Sequence, residues 1–235
     1  MVPPVSLVSG ISATVLFATG WTAGIMCLVR YAKEEASLLL RAGILLMMIG
    51  TFYMGTVTSF FSLVTTGHNV NPPHLGAQLC YTVAPLAAGL SMNVGFTMLD
   101  RQKLAKWMPV AFWLTGPVYW YGLYVVPEVT ILAEIPTEGG AEALVDFQLL
   151  SFVNWLTAAY LVAFLCIVAG AFYWMARQSS GFVRRRFYEL AVGFTLFVFA
   201  GAIDSLLELG VWIVVPRFFM LTAYVLMYLG FTRTK

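Results

Sequence analysis

Long runs of apolar residues, separated by short polar links, alternate along the chain. Seven runs are long enough to cross the hydrocarbon core of a bilayer, about 30 Å thick, which takes about 20 helical residues. We number them apolar segments 1 to 7, and they cover approximately residues 5–29, 36–65, 75–98, 104–126, 147–176, 187–209 and 211–231. The pattern predicts an all-α membrane protein, with seven transmembrane helices forming a single domain over residues 1–235.

The amino-acid composition excludes a water-soluble fold. Hydrophobic residues make up 60% of the 235 residues and charged residues 10%, whereas an ordinary soluble domain has about 25% charged residues. No basic residue precedes segment 1, so we expect a retained helix rather than a cleaved signal peptide. The three cysteines lie in different segments without paired spacing, which indicates neither a disulfide framework nor a zinc site.

The basic residues predict how the chain is oriented. Every lysine and arginine except Arg217 lies in or beside the links that follow segments 1, 3, 5 and 7, or at the end of the chain. The links after segments 2 and 4 carry two histidines and an acidic stretch instead. Because basic residues accumulate in short cytoplasmic loops, we expect the N-terminus outside and the C-terminus inside the cell. This positive-inside pattern fits a multi-pass protein of a prokaryotic plasma membrane, and eukaryotic endomembranes follow the same rule.

Two short matches indicate an internal repeat. Residues 94–97 at the end of segment 3 read Val-Gly-Phe-Thr, and residues 229–232 at the end of segment 7 read Leu-Gly-Phe-Thr. They favour a 3+1+3 arrangement, in which segments 1–3 and 5–7 form parallel halves joined by segment 4, as in transporters built from repeats. Coincidence is the alternative, because apolar sequence of low complexity produces such matches by chance.

Three ionisable residues in the last two segments are the strongest candidates for a functional site. Asp204 and Glu208 lie one helical turn apart in segment 6, with Asp204 about 9 Å below its outer end, and Arg217 lies at a similar depth in segment 7. An ionisable side chain in a spanning helix costs about 2.5 to 3.5 kcal/mol, so something must offset that cost. The group predicts either an outward-facing polar cavity for a ligand or cation, or a structural pair that joins the two helices.

Uncharged polar residues could extend this site. Thr58 and Ser59, in the outer half of segment 2, either line the same cavity or bond to the backbone of their own helix. Asn93 in segment 3 is a further ligand-binding candidate. Its alternative role is an interhelical hydrogen bond, which contributes about 1 kcal/mol.

Proline residues predict breaks in three segments. Pro85, Pro117 and Pro216 lie in segments 3, 4 and 7, where proline removes a backbone hydrogen bond and frees a carbonyl. Broken helices are typical of bundles that move or contain a cavity.

Charged residues near the inner ends form a second group of candidates. Arg41 and Glu189, at the inner starts of segments 2 and 6, predict an ion pair across the bundle. The alternative is that both side chains extend to the membrane interface. Arg184, Arg185 and Arg186 predict a basic inner surface that meets anionic lipid or a protein partner.

The residues that membrane-bound catalysis or cofactor binding would need are missing from the segments. His68 and His74 are the only histidines and lie in an outer link, which argues against an intramembrane heme or zinc site. No lysine lies near the centre of a segment, so a retinal Schiff base is excluded. Hydrolase, metalloprotease and phosphate-loop motifs are absent as well. We therefore expect no enzymatic activity, no cofactor, no metal and no nucleic-acid partner.

The last two segments carry a resemblance to a known group of proteins. From Asp204 through Pro216-Arg217 to Leu229-Gly230-Phe231, and in its topology, the chain resembles the seven-helix membrane sensor modules that precede prokaryotic histidine kinases. The topology is also similar to that of rhodopsin-like proteins, without their retinal lysine. The resemblance implies sensing of a ligand or of the membrane state, coupled to a cytoplasmic output. Because this sequence contains no output domain, we expect a separate partner protein to supply it.

Two functions are therefore compatible with the sequence. The first is a receptor-like or accessory sensor with an outward-facing polar cavity near Asp204, acting through a cytoplasmic or membrane protein partner. The alternative is a small-solute or ion transporter or channel of 3+1+3 architecture, in which the same acidic residues bind a coupling ion. In both cases the lipid bilayer is the surrounding partner, and the oligomeric state stays open, a homo-oligomer included.

Overall fold

The described part of the chain folds mainly into helices. A computed structural model describes residues 3–134, 144–207 and 211–232. Its helices, in chain order, are α1 (Pro4–Glu34), α2 (Ser37–Thr51), α3 (Met54–Thr66), α4 (His74–Tyr81), α5 (Ala84–Met98), α6 (Gln102–Leu114), α7 (Gly116–Tyr124), α8 (Pro127–Thr130), α9 (Ser151–Ala163), α10 (Gly170–Gln178), α11 (Gly181–Asp204) and α12 (Val214–Thr232). A π-helical stretch, Phe164–Ala169, joins α9 to α10, and a 3₁₀ turn, Val211–Ile213, precedes α12.

Several of these helices are suited to a bilayer. In the part of the chain that the structure describes, five helical spans are long and apolar enough to cross a membrane: Pro4–Glu34, His74–Met98, Ser151–Gln178, Gly181–Asp204 and Val214–Thr232. Helices α2 and α3 add a sixth if they are counted as one span bent by 44°. The architecture is thus that of a multi-pass membrane protein, as the hydropathy pattern predicts.

Segment 4 differs from the other segments. It forms two helices of 13 and 9 residues, α6 and α7, which meet at Thr115. Each is shorter than the roughly 20 residues that one crossing takes. Segment 4 is therefore not among the spans that satisfy both length and apolarity.

The predicted breaks are confirmed at two prolines and wrong at the third. Pro85 and Pro117 lie in the first turns of α5 and α7, so each begins the second half of an interrupted segment. Pro216 is the third residue of α12 and lies in its first turn. The amide groups of that turn have no acceptor within the helix in any case, so proline disrupts nothing there.

The end of α11 corrects the predicted depth of Asp204. The helix ends at Asp204, five residues earlier than the boundary expected at residue 209. Apolar residues such as Leu206 and Leu207 follow this end and continue the hydropathy pattern without continuing the helix. Asp204 therefore lies at a helix end rather than about 9 Å below one.

A small β-hairpin replaces the predicted start of the fifth helix. Strands β1 (Ile131–Glu134) and β2 (Asp146–Leu149) pair antiparallel, with Ile131 opposite Leu149. Residues 147–149 were expected to be helical, but apolar and polar residues alternate there, a period that suits a strand. The hairpin docks on the helices through Phe147, whose ring occupies the space beside Gly76 that a side chain would otherwise fill.

The main apolar core lies where the first and last helices meet the middle of the bundle. Helix α1 packs along α2 and α12, and α11 packs along α12 and α10. At the contact of α1 with α2, a Cβ atom on Gly20 would come within 2.8 Å of the Gly50 Cα atom. Small residues allow such close approach of membrane helices, whose association depends on tight packing.

We expect the contact between α3 and α4 to tolerate no side chain at Gly55. A Cβ atom there would lie 1.7 Å from the backbone oxygen of Gly76, so the two helices would have to separate. Gly55→Ala should lower stability by about 1 to 3 kcal/mol, the usual cost of overpacking, and thermal denaturation in detergent measures this change. Gly170→Ala is the matched control, because no atom lies within 4 Å of the added methyl group. Equal effects of the two substitutions would contradict the packing at Gly55.

Candidate functional site

An ion pair joins the last two long helices. Arg217, the fourth residue of α12, donates from Nε to Oδ1 of Asp204 at 3.0 Å. The side chains of Arg217 and Asp204 are only 5% and 13% exposed. A buried charge is tolerated when it is paired and its remaining hydrogen-bonding groups are satisfied. The positive charge of Arg217 and the negative charge of Asp204 cancel, so the pair has no net charge.

Helix α1 supplies further acceptors to the same arginine. Nη1 of Arg217 donates to the Ser9 carbonyl oxygen at 2.6 Å, to Ser9 Oγ at 3.0 Å and to Ser12 Oγ at 2.8 Å. Ser9 and Ser12 lie about one helical turn apart, so both face α12. The arginine therefore attaches α12 to the N-terminal part of α1 as well as to α11.

Tyr53 brings the bent helix pair into contact with the ion pair. Its hydroxyl donates to Oδ2 of Asp204 at 3.2 Å and lies 2.7 Å from Sδ of Met220. Its ring lies 5.7 Å from the guanidinium carbon of Arg217, within range of a cation–π interaction. Tyr53 lies in the junction between α2 and α3, where the axis bends by 44°. We call Ser9, Ser12, Tyr53, Asp204 and Arg217 the polar network.

A small apolar cluster adjoins the polar network. Phe60 of α3 packs over Gly10, the residue next to Ser9, and forms a buried cluster with Leu63, Leu144 and Ile213. The Leu144 amide donates to Ser6 Oγ, one turn before Ser9. The segment that leads into β2 therefore covers α1 beside the network.

The other predicted members of this site have different surroundings. Glu208 lies outside the described residues. Thr58 donates to the Met54 carbonyl oxygen of its own helix, and Ser59 is buried within α3. Asn93 donates to the Ala105 carbonyl oxygen at 2.7 Å and belongs to the contact between α5 and α6. The structure therefore does not bring Asn93 to Asp204, because its amide completes an interhelical hydrogen bond elsewhere.

The two members of the predicted inner ion pair have other partners. Arg41 donates to Thr97 Oγ1 at 3.0 Å and so joins α2 to α5. Glu189 accepts from Arg185 Nε at 2.9 Å. Arg185 and Glu189 are four residues apart on one helix, a spacing that brings side chains together without any tertiary contact.

The three consecutive arginines do not form one surface. Arg184 and Arg185 are exposed. Arg186 instead donates to the carbonyl oxygens of Gly230 and Phe231, near the end of α12. Cationic side chains satisfy such terminal carbonyl groups, so Arg186 has partners within the protein that its two neighbours lack.

Sequence reasoning missed Ser9, Ser12 and Tyr53. Segment 1 looked uniformly apolar, although its serines recur at a spacing of three and so share a helix face. Tyr53 lies deep within segment 2, where a hydroxyl group needs a hydrogen-bond partner. These two signals could have indicated a polar partner for Asp204 and Arg217.

Comparisons with known proteins identify no relatives. No protein-family model matches the chain, and neither a curated protein nor a solved structure is significantly similar to it. Among the described residues, no three His, Cys, Asp or Glu side chains come together as a metal site would require. Function is therefore inferred from the residues and their geometry.

We expect loss of one member of the ion pair to cost more than loss of both. Arg217→Leu leaves the Asp204 carboxylate buried without its cation, which typically destabilises a protein by about 3 to 5 kcal/mol. The double variant Asp204→Leu/Arg217→Leu removes both charges and should be more stable than Arg217→Leu alone. Thermal denaturation of the purified variants measures the difference. Arg30→Gln, which removes one member of a more exposed ion pair with Glu34, should cost less than about 1 kcal/mol.

Removal of the Tyr53 hydroxyl tests its bond to Asp204. Tyr53→Phe should destabilise the protein by about 1 kcal/mol, and the same change in an Asp204→Leu background should cost less. The double-mutant cycle, measured by thermal denaturation, isolates the interaction of the two side chains. Tyr121→Phe, at a tyrosine that is 54% exposed, should have almost no effect. Equal costs of Tyr53→Phe in both backgrounds would show that the two groups are not coupled.

Proposed function

We propose that this chain is a receptor-like or accessory membrane sensor that acts through a separate protein partner, in a non-enzymatic role. In this proposal the chain crosses the membrane seven times, with α6 and α7 together as the fourth crossing. The N-terminus lies outside and the C-terminus inside. The apolar helical architecture supports a polytopic membrane protein.

The proposed orientation is supported by where charged residues meet. Arg30 and Glu34 at the end of α1 lie close to Arg186 near the start of α11. Arg186 in turn contacts the end of α12. Basic residues from separate parts of the sequence therefore gather at one end of the bundle, and the positive-inside rule favours that end as the cytoplasmic one.

One observation carries the sensor proposal: the buried ion pair is bonded to the residue at the bend of another helix. A ligand or membrane change that weakens the bond between Asp204 and Arg217 would alter the acceptor of the Tyr53 hydroxyl. Bends between helices are positions where small local changes become larger movements. We propose that the bend between α2 and α3 transmits such a change to Arg41 and the inner end of α2.

The transporter alternative uses the same residues differently. A coupling cation would need a carboxylate that Arg217 leaves available. In the described residues the Asp204 carboxylate already accepts from Arg217 and Tyr53, which favours a sensing over a carrying role. Flux measurements distinguish the two.

The decisive experiment combines stability, conformation and uptake. Purified protein is screened by thermal denaturation against a panel of inorganic cations and small metabolites at acidic, neutral and alkaline pH. In a Cys166→Ser background, spin labels at Ser37→Cys and Thr65→Cys, near the ends of α2 and α3 that lie away from the bend, report the bend angle. A stabilising compound should change this distance without any uptake into liposomes, and Asp204→Asn should abolish the change.

A single uninterrupted helix provides the control. Labels at Leu7→Cys and Ala32→Cys, both in α1, should keep their distance when the compound binds. Uptake that disappears in Asp204→Asn would contradict the sensor proposal and establish transport. Stabilisation that leaves the bend unchanged would contradict the role given to Tyr53.

A further inference from the structure

An open groove lies between α11 and α12, at the end of the bundle that carries the basic residues. Its volume is about 410 Å³. The lining residues are Gly181, Arg184, Arg185, Tyr188, Glu189, Val192 and Leu226. All but Leu226 recur at spacings of three and four along α11, so they form one continuous stripe on that helix.

The polar end of the groove is held in place by aromatic contacts. The guanidinium carbon of Arg184 lies 5.5 Å from the centre of the Tyr188 ring. The Tyr188 ring packs edge-on against Tyr173 of α10, with 5.9 Å between ring centres. The guanidinium carbon of Arg177 lies over the Tyr173 ring, 5.9 Å from its centre. The arginine at the groove is therefore supported by neighbouring side chains rather than extended freely.

The charge of the lining is suited to one anion. Arg185 is paired with Glu189 within the groove, whereas Arg184 is exposed and stacks on a neutral ring. Two arginines and one glutamate leave a single net positive charge. Guanidinium groups bind phosphate oxygens through paired, charge-assisted hydrogen bonds.

The other end of the groove is apolar. Val192 lies eight residues beyond Arg184, about 12 Å along the helix axis. It is 51% exposed and faces the groove together with Leu226 of α12. A cationic end followed by an apolar floor matches a molecule with an anionic head and a hydrocarbon chain.

We propose that this groove binds one anionic phospholipid with a singly charged headgroup. The phosphate lies at Arg184 and Arg185, and the first part of an acyl chain lies over Val192 and Leu226. The inference requires that the protein lies in a bilayer, and it does not depend on the sensor role of the polar network.

Native mass spectrometry of the purified full chain tests the site. The protein is titrated with phosphatidylglycerol and with phosphatidylcholine of the same acyl chains. We expect one retained phosphatidylglycerol and a clear preference for it over phosphatidylcholine. Arg184→Gln/Arg185→Gln should weaken phosphatidylglycerol binding by roughly 10- to 30-fold, since each arginine near a membrane surface contributes roughly a three- to fivefold factor.

Matched variants separate this site from general surface charge. Arg101→Gln/Lys103→Gln removes two exposed positive charges at the start of α6, outside the groove, and should leave binding unchanged. Val192→Trp fills the apolar floor and should reduce binding, whereas Val225→Trp, at an exposed residue of α12 outside the groove lining, should not.

Three results would overturn the proposal. Equal retention of the two lipids would show that the headgroup charge does not determine binding. Equal losses of phosphatidylglycerol binding in the two charge variants would indicate nonspecific electrostatic attraction. Competition by soluble glycerol 3-phosphate at the concentration of the lipid would show a simple anion site instead. Thermal denaturation without added lipid verifies that each variant remains folded.

Discussion

The hydrogen bonding of Arg217 is the constraint on which the arrangement of α1, α11 and α12 around it depends. An arginine cannot lose its charge in a protein, so its burial in an apolar bundle requires an anion and several acceptors. Asp204 supplies the anion, and Ser9 and Ser12 supply oxygens. These residues belong to α11 and α1, so the two ends of the sequence are held together by one side chain.

The same constraint explains why a bent helix is part of the network. Asp204 has a second carboxylate oxygen, and Tyr53 donates to it from the junction of α2 and α3. The break between α2 and α3 lies at Tyr53. At this position the tyrosine contacts Asp204 of α11 and both Arg217 and Met220 of α12. The break is thus integrated into the packing, and the proposed sensing role follows from this connection.

Arginines near the start of α11 show how the same residue type acquires different roles. Arg186 satisfies carbonyl groups at the end of α12, while its neighbours in sequence, Arg184 and Arg185, face a groove. Successive residues on a helix point about 100° apart, so a run of three arginines cannot share one environment. Only the two exposed ones are available to a lipid headgroup.

The sequence by itself determined the helical character suited to a membrane, the positions of the apolar segments and the need of Asp204 and Arg217 for partners. These properties follow from hydropathy and from the cost of burying charge, which are local in sequence. Only the tertiary structure decided the partners of the pair, the hairpin of residues 131–134 with 146–149, the early end of α11, and the separate contacts of Arg41, Asn93 and Glu189. Such contacts join residues up to 208 positions apart, and no pattern along a single apolar segment specifies which distant helix will face it.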